Sequence, residues 1–282
     1  MAPSHEDLSS ATYTGIYDRA VTLVEGRWDG EPLAEGGVSR PSVGLVDHFA
    51  LIGDVDSDGR EETAVLLWES SGGSGTCLYL AVMGRSQDDL EDLGTALVGD
   101  RVQVRSARII NGRIELDVVQ AGPGDAMCCP SQLATRGWTL GAGNLVEGEA
   151  TVTGILSLDS LEGPEWVLSE LGWGESVSDT PEITISFDDD KVTGSGGCNR
   201  YFAAVAGDTP GELVFSGMGT TRMACPESTM GLERHYLKTL AGASRYSFLG
   251  GRLVLGCDTA DGPIALVYER RDLATAGPIA NP

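Results

Sequence analysis

The sequence predicts a mainly β chain divided into two β-rich domains, and three observations lead there. Gly is abundant, at 39 of 282 residues, while aromatic residues make up only 6%. Short apolar runs are broken by Gly, Asp and Ser at roughly eight- to twelve-residue intervals, the rhythm of sandwiches and barrels. A chain of 282 residues is also long enough to build two cores rather than one.

The elements follow in order. Residues 1–11, MAPSHEDLSS and one more, carry neither a charged n-region nor an apolar h-region and read as a flexible start. A first β-rich domain is expected over 12–145. Alternating apolar residues from Val21 to Val24, the Glu25-Gly26 turn and a second short run read as a β-hairpin opening a sheet. Further strands fit Leu45 to Ile52, Glu62 to Trp68, Cys77 to Met83, Val102 to Ile110, Arg113 to Val119 and Arg136 to Leu140. Asn111-Gly112 between two of them is a two-residue hairpin signal.

The Gly- and Glu-rich stretch 141–154 marks the joint, and the second domain is expected over 146–271. One helix is expected from near Pro226 to Ala243, because Met230, Leu232, His235, Tyr236, Leu237 and Leu240 recur at three- and four-residue steps. Residues 272–282 read as a flexible tail.

The charge balance excludes some partners. A net charge of −23 and a pI near 4.3 leave no basic patch for nucleic acid or an anionic membrane surface, while divalent and other cations stay open. Lys191 and Lys238 are the only lysines, so 17 of the 19 basic residues are arginine. Such an imbalance resembles proteins of halophiles; Arg-rich codon usage with an acidic, solubilising surface is the other reading. The longest uninterrupted apolar run, Ala64 to Trp68, falls far short of the roughly 20 residues that span a bilayer.

Two chemistries are suggested by spacing. Asp54, Asp56 and Asp58 alternate before Gly59, with the backbone carbonyl of Arg60 at position 7 and Glu62 at position 9, an oxygen pattern suited to calcium. Position 12 is Val65, which departs from the EF-hand. The plain alternative is an acidic turn whose Asp and Gly serve geometry. Six cysteines, placed in Gly- and Pro-rich loops, favour an oxidising compartment. Adjacent Cys128 and Cys129 suggest either a vicinal bridge or one bond to Cys77, with Cys257 left free. No enzyme is expected, since G-x-S-x-G, S-x-x-K and H-E-x-x-H are absent and only His5, His48 and His235 are available.

The stretch GSGGCNRYF from Gly194 to Phe202, then TTRMACP from Thr220 to Pro226, then the amphipathic segment Gly231 to Leu240, resemble the META domain of HslJ-type bacterial envelope proteins over roughly residues 154–270. GDVDSDGREE (Gly53 to Glu62) and DAMCCP (Asp125 to Pro130) resemble motifs in the N-terminal region of certain bacterial lipoproteins. The first resemblance implies strands at Glu165 to Leu168, a pair around Tyr246 to Leu255 and a closing one at Ile264 to Tyr268, a β-barrel or sheet with one packed helix, a periplasmic or outer-membrane-anchored location and an accessory role without an established reaction. It brings Cys198 and Cys225 into neighbouring loops as a disulfide pair. It also sets Asn199, Arg200, Tyr201 and Arg222 around one end of the barrel, as a recognition surface or as architecture. An envelope protein partner, a lipid anchor on the native N-terminus and, as a further alternative, protease inhibition are the functional expectations.

Overall fold

The computed structural model describes residues 2–34, 36–73, 75–86, 89–141, 143–177 and 181–271, and the expected tail 272–282 lies outside them. It divides between Gly154 and Ile155 into two compact units, nine residues beyond the 145/146 joint that composition suggested. Both units are antiparallel β structures.

The first unit opens with helix α1 (His5–Ser9), where a flexible start was expected. Ser4 accepts from the Asp7 N–H while the Asp7 carboxylate accepts from the Ser4 N–H, a capping box that closes both orphan donors. Leu8 and Ala11 are then drawn into the core. Strands β1 (Thr12–Tyr13) and β2 (Val21–Thr22) pair with each other. The expected Glu25-Gly26 turn forms, both residues at positive φ, between Val24 and Arg27. Its outgoing strand β3 (Arg27–Asp29) joins a different sheet from β2, so the hairpin bridges two sheets instead of opening one.

That second sheet has the order β3-β4-β6-β7-β8, with β4 (Ser42–Leu45), β5 (Leu51–Gly53, paired to β6), β6 (Glu62–Ser70), β7 (Cys77–Ser86) and β8 (Asp89–Asp100). The single strand expected over Leu45 to Ile52 is thus two short strands separated by a turn in which His48 has φ 61°. A third sheet is formed by β9 (Gln103–Ile110), β10 (Arg113–Gln120), β11 (Gln132–Gly141) and β12 (Asn144–Glu147), with β13 (Thr151–Ile155) on β11. Asn111 and Gly112 turn β9 into β10, both at positive φ, as the mirror-image hairpin turn requires. Strand β6 is buried on both faces from Glu62 to Leu67. One face joins a core of Leu8, Tyr13, Val21, Leu23, Val43, Val65, Leu67 and Met83.

The second unit is one eight-stranded sheet, ordered β18-β17-β16-β15-β14-β21-β20-β19. Its members are β14 (Glu165–Leu171), β15 (Thr184–Asp188), β16 (Lys191–Ser195), β17 (Arg200–Ala206), β18 (Val214–Thr220), β19 (Ala243–Leu249), β20 (Arg252–Thr259) and β21 (Gly262–Arg271). The sheet curls until its ends meet: Leu213 N–H donates to Ser244 O at 3.1 Å and Tyr246 N–H to Gly211 O at 2.8 Å, so the segment entering β18 bonds to β19. Closure of this kind removes exposed edges. Strict alternation puts Tyr201, Ala203 and Val205 of β17 inside and Phe202 outside. Helix α2 (Glu227–Leu240) supplies Tyr236 and Leu240 to this core. His235, expected on its apolar side, faces solvent, and the buried position on that turn belongs to Glu233. No helix among the described residues is long and apolar enough to cross a membrane.

Candidate functional site

Three loops carry the residues singled out by sequence. The first links β5 to β6. One carboxylate oxygen from each of Asp54, Asp56 and Asp58 lies within 4.8 Å of the others. Positive φ at Ser57 and Gly59 folds the loop tightly enough for this. Gly59 N–H donates to Asp54 Oδ2 at 3.1 Å, Asp58 N–H to Asp56 Oδ1 at 3.0 Å and Arg60 N–H to Asp58 Oδ1 at 2.8 Å. Asp54 Oδ1 is buried without any hydrogen-bond partner. Oxygens converging in this way are what a hard cation takes, and the same backbone bonds to aspartate oxygens also close an acidic turn.

Glu62, expected as the ninth-position ligand, and the side chain of Arg60, whose backbone carbonyl was expected to contribute, have partners of their own. The Arg60 guanidinium pairs with Asp58 Oδ2 and donates to Arg85 O at 3.2 Å, and it holds the Asp58 carboxyl below its ordinary range. Glu62 lies outside the 4.8 Å group. It is 4% exposed, and its Oε2 accepts the Val55 N–H at 2.8 Å. Burial raises the Glu62 pKa above the ordinary value, against the Val55 hydrogen bond, and the three aspartates push the same way as burial.

The second loop joins β10 to β11. Cys128 and Cys129 form a vicinal disulfide, and Cys77 is a free, half-buried thiol, so the alternative bond to Cys77 is not made. Asp125 organises the turn: its carboxylate accepts the Gly122 N–H at 2.8 Å, the Ser131 N–H at 2.7 Å and the Ser131 hydroxyl at 2.8 Å. The Gly122 contact contributes most to lowering its pKa. Cys257 is free and buried, and burial pushes its thiol up to about 12.

The third group surrounds Asn199. Cys198 and Cys225 are bonded, with Cα atoms 6.0 Å apart. Asn199 is 7% exposed, and each of its polar groups is occupied. Its N–H and Nδ2 donate to the two Glu233 oxygens at 2.6 and 2.9 Å. Its Oδ1 accepts from the Met223 N–H at 2.7 Å and the Thr221 hydroxyl at 2.9 Å. The motif glycines are explained by the same neighbours: a Cβ on Gly196 would stand 2.7 Å from Glu233 Oε1, and one on Gly194 2.0 Å from Thr184 O. Tyr201 is buried, its hydroxyl donating to Thr184 O at 2.8 Å and sharing a 2.8 Å bond with Tyr236, which in turn accepts from Tyr268 at 3.2 Å. Of the four expected surface residues, then, Asn199 and Tyr201 are internal, while Arg200 and Arg222 are exposed.

Glu233 was not among the residues singled out. Its signal is present, since Glu233, Tyr236 and Leu240 follow i, i+3, i+7 on α2 and share the buried face, but an acid on an acidic protein reads by default as surface.

The META domain model matches residues 159–269. A structure solved by NMR is 26% identical, matched over 42% of this chain and 98% of its own, with a TM-score of 0.35. A second NMR structure, of a protein from Burkholderia xenovorans, is 23% identical over 45% of this chain and 96% of its own, with a TM-score of 0.32. No curated protein matches the chain.

Proposed function

We propose, from the premise that the C-terminal unit carries a META domain, that this is a non-enzymatic envelope protein. Its place is the periplasm or the outer membrane, and its role is structural, in stress tolerance or in binding an envelope partner. One observation carries the reading. The motif residues Cys198, Cys225 and Asn199 are occupied internally, by the Cys198–Cys225 disulfide and the Asn199–Glu233 pairing, and so supply rigidity rather than a nucleophile or base. Two disulfides in a chain with two further thiols also favour an oxidising compartment. Acid-quenching cells that make the protein from its native gene, then alkylating and weighing it, tests this. Four protected and two alkylated cysteines support an extracytoplasmic location; six alkylated cysteines overturn it.

A second reading is favoured by the unpartnered, buried Asp54 Oδ1: calcium or another divalent cation bound by Asp54, Asp56 and Asp58. Calorimetric titration of chelator-treated protein with calcium, beside an Asp56→Ala/Asp58→Ala variant, is the test at low and at molar salt. One-site micromolar binding lost in the variant supports it. Absence of heat in the unaltered protein reduces the loop to a turn.

A further inference from the structure

The first unit holds an open cleft of about 550 Å³ that neither reading above uses, lined by Ile16, Tyr17, Asp18, Arg19, Trp28 and Pro41. Its aromatic walls are fixed. The rings of Tyr17 and Trp28 are 5.7 Å apart and inclined at 52°. The Tyr17 hydroxyl donates to Glu69 Oε1 at 2.8 Å, and that carboxylate is itself buried, at 5% exposure, and receives Ser71 Oγ at 2.5 Å. Trp28 lies down over Gly30, where a Cβ would stand 2.7 Å from its Cη2 and 2.8 Å from Pro41 Cγ. The Arg19 guanidinium is 5.2 Å above the Trp28 ring centre.

The polar groups at the rim are unused. Asp18 and Arg19 are exposed and make no hydrogen bond or ion pair with the described residues, although they are neighbours in sequence. A guanidinium stacked on an indole keeps its N–H edges free and loses little conformational freedom on donating them. The cleft therefore offers ordered donors, an acceptor and a half-buried tyrosine ring side by side.

The geometry points to a saccharide site: a pyranose ring resting its C–H face on Tyr17 while its hydroxyls accept from Arg19 and donate to Asp18. The other ligand classes match less well. A cation would compete with Arg19 for the Trp28 face. An anion would meet Asp18 at the rim and approach a chain of net charge −23. A neutral polyol uses donors and acceptors together without desolvating a charge of its own.

The test is titration of the whole ¹⁵N-labelled protein with cellohexaose, chitohexaose and maltohexaose, reading the Trp28 indole N–H, identified by its loss in Trp28→Phe. At least one sugar is expected to shift that signal saturably, with a Kd of about 1 mM or tighter. Asp18→Asn and Arg19→Ala are each expected to weaken binding about tenfold without moving the melting temperature. No shift with any of the three sugars overturns the assignment, as does a shift unchanged in both variants. A response to phosphate or choline in place of the sugars gives the cleft to a charged ligand and overturns it equally.

Discussion

Asn199 has no polar atom free, and Glu233 holds two of its groups. Replacing Glu233 by Gln keeps the volume but sets an amide donor against either the Asn199 N–H or its Nδ2. A donor facing a donor in a site only 7% exposed leaves one of them unsatisfied, which costs about 1–3 kcal/mol. Urea denaturation of Glu233→Gln is expected to show that loss with an unchanged slope; a midpoint equal to the parent's would mean the pairing contributes nothing. Asp7 yields a pH prediction. The Ser4 hydroxyl first, then the Ser4 N–H and the Arg85 guanidinium, hold its carboxyl down from 3.8 to about 2. Since the folded value is depressed, the contribution is complete above pH 3.8 and is lost as pH falls toward 2. The Asp7 carboxyl carbon should therefore titrate in NMR with a midpoint near 2, and Ser4→Ala should move it back toward 3.8.

Among the elements, a disulfide ties β17's leading loop to the approach to α2. It closes a sequence separation of 27 residues, which stabilises by about 3–4 kcal/mol if the gain is unfolded-state entropy. Cys198→Ser/Cys225→Ser is expected to lose about that much in a melt of the intact protein. A loss much below 1 kcal/mol would show that the Asn199 network alone holds these loops.

The elements that could be read from sequence differ in patterning from those that could not be. Strands β9 and β10 carry clear β-branched or alternating patterns, and α2 carries a three- and four-residue repeat, so their existence was legible, while β20 and β21 were legible through the META resemblance. Strand β8 was not, because DLEDLGTALVGD is acidic and mostly half-exposed, and bulges opposite Leu78/Tyr79 and Val82/Met83 interrupt its alternation. The META motifs pointed to the right loops and the right disulfide. They could not tell that Asn199 and Tyr201 face inward, because burial of a polar side chain is decided by partners on α2 and β15 that lie far away in sequence. The 550 Å³ cleft was illegible for the same reason: Tyr17, Trp28 and Glu69 come together only through pairing of the strands between them.

At the scale of the whole molecule, 42 acidic residues face 19 basic ones, and several of the basic ones are already engaged. Arg271 bonds both Glu165 and Glu182, Arg252 bonds Glu170, Arg136 bonds Glu147, and Arg108 bonds both Glu115 and Asp117. The surplus carboxylates repel over distances greater than these contacts. Raising salt from about 0.1 M to about 1 M shortens the Debye length from about 10 Å to about 3 Å. That removes most of the long-range repulsion while leaving contacts at 2.6–2.9 Å much less affected; Arg252–Glu170 is largely buried, and a solvent-exposed pair is worth only about 0–1 kcal/mol to begin with. The melting temperature is therefore expected to rise with sodium chloride, and to rise equally with choline chloride at the same ionic strength. A flat curve sinks the salt-adapted reading of the acidic surface. Calcium separates the two ionic effects: a rise that saturates at micromolar calcium and disappears in Asp56→Ala/Asp58→Ala belongs to the Asp54 loop, because screening depends on ionic strength and that concentration barely changes it.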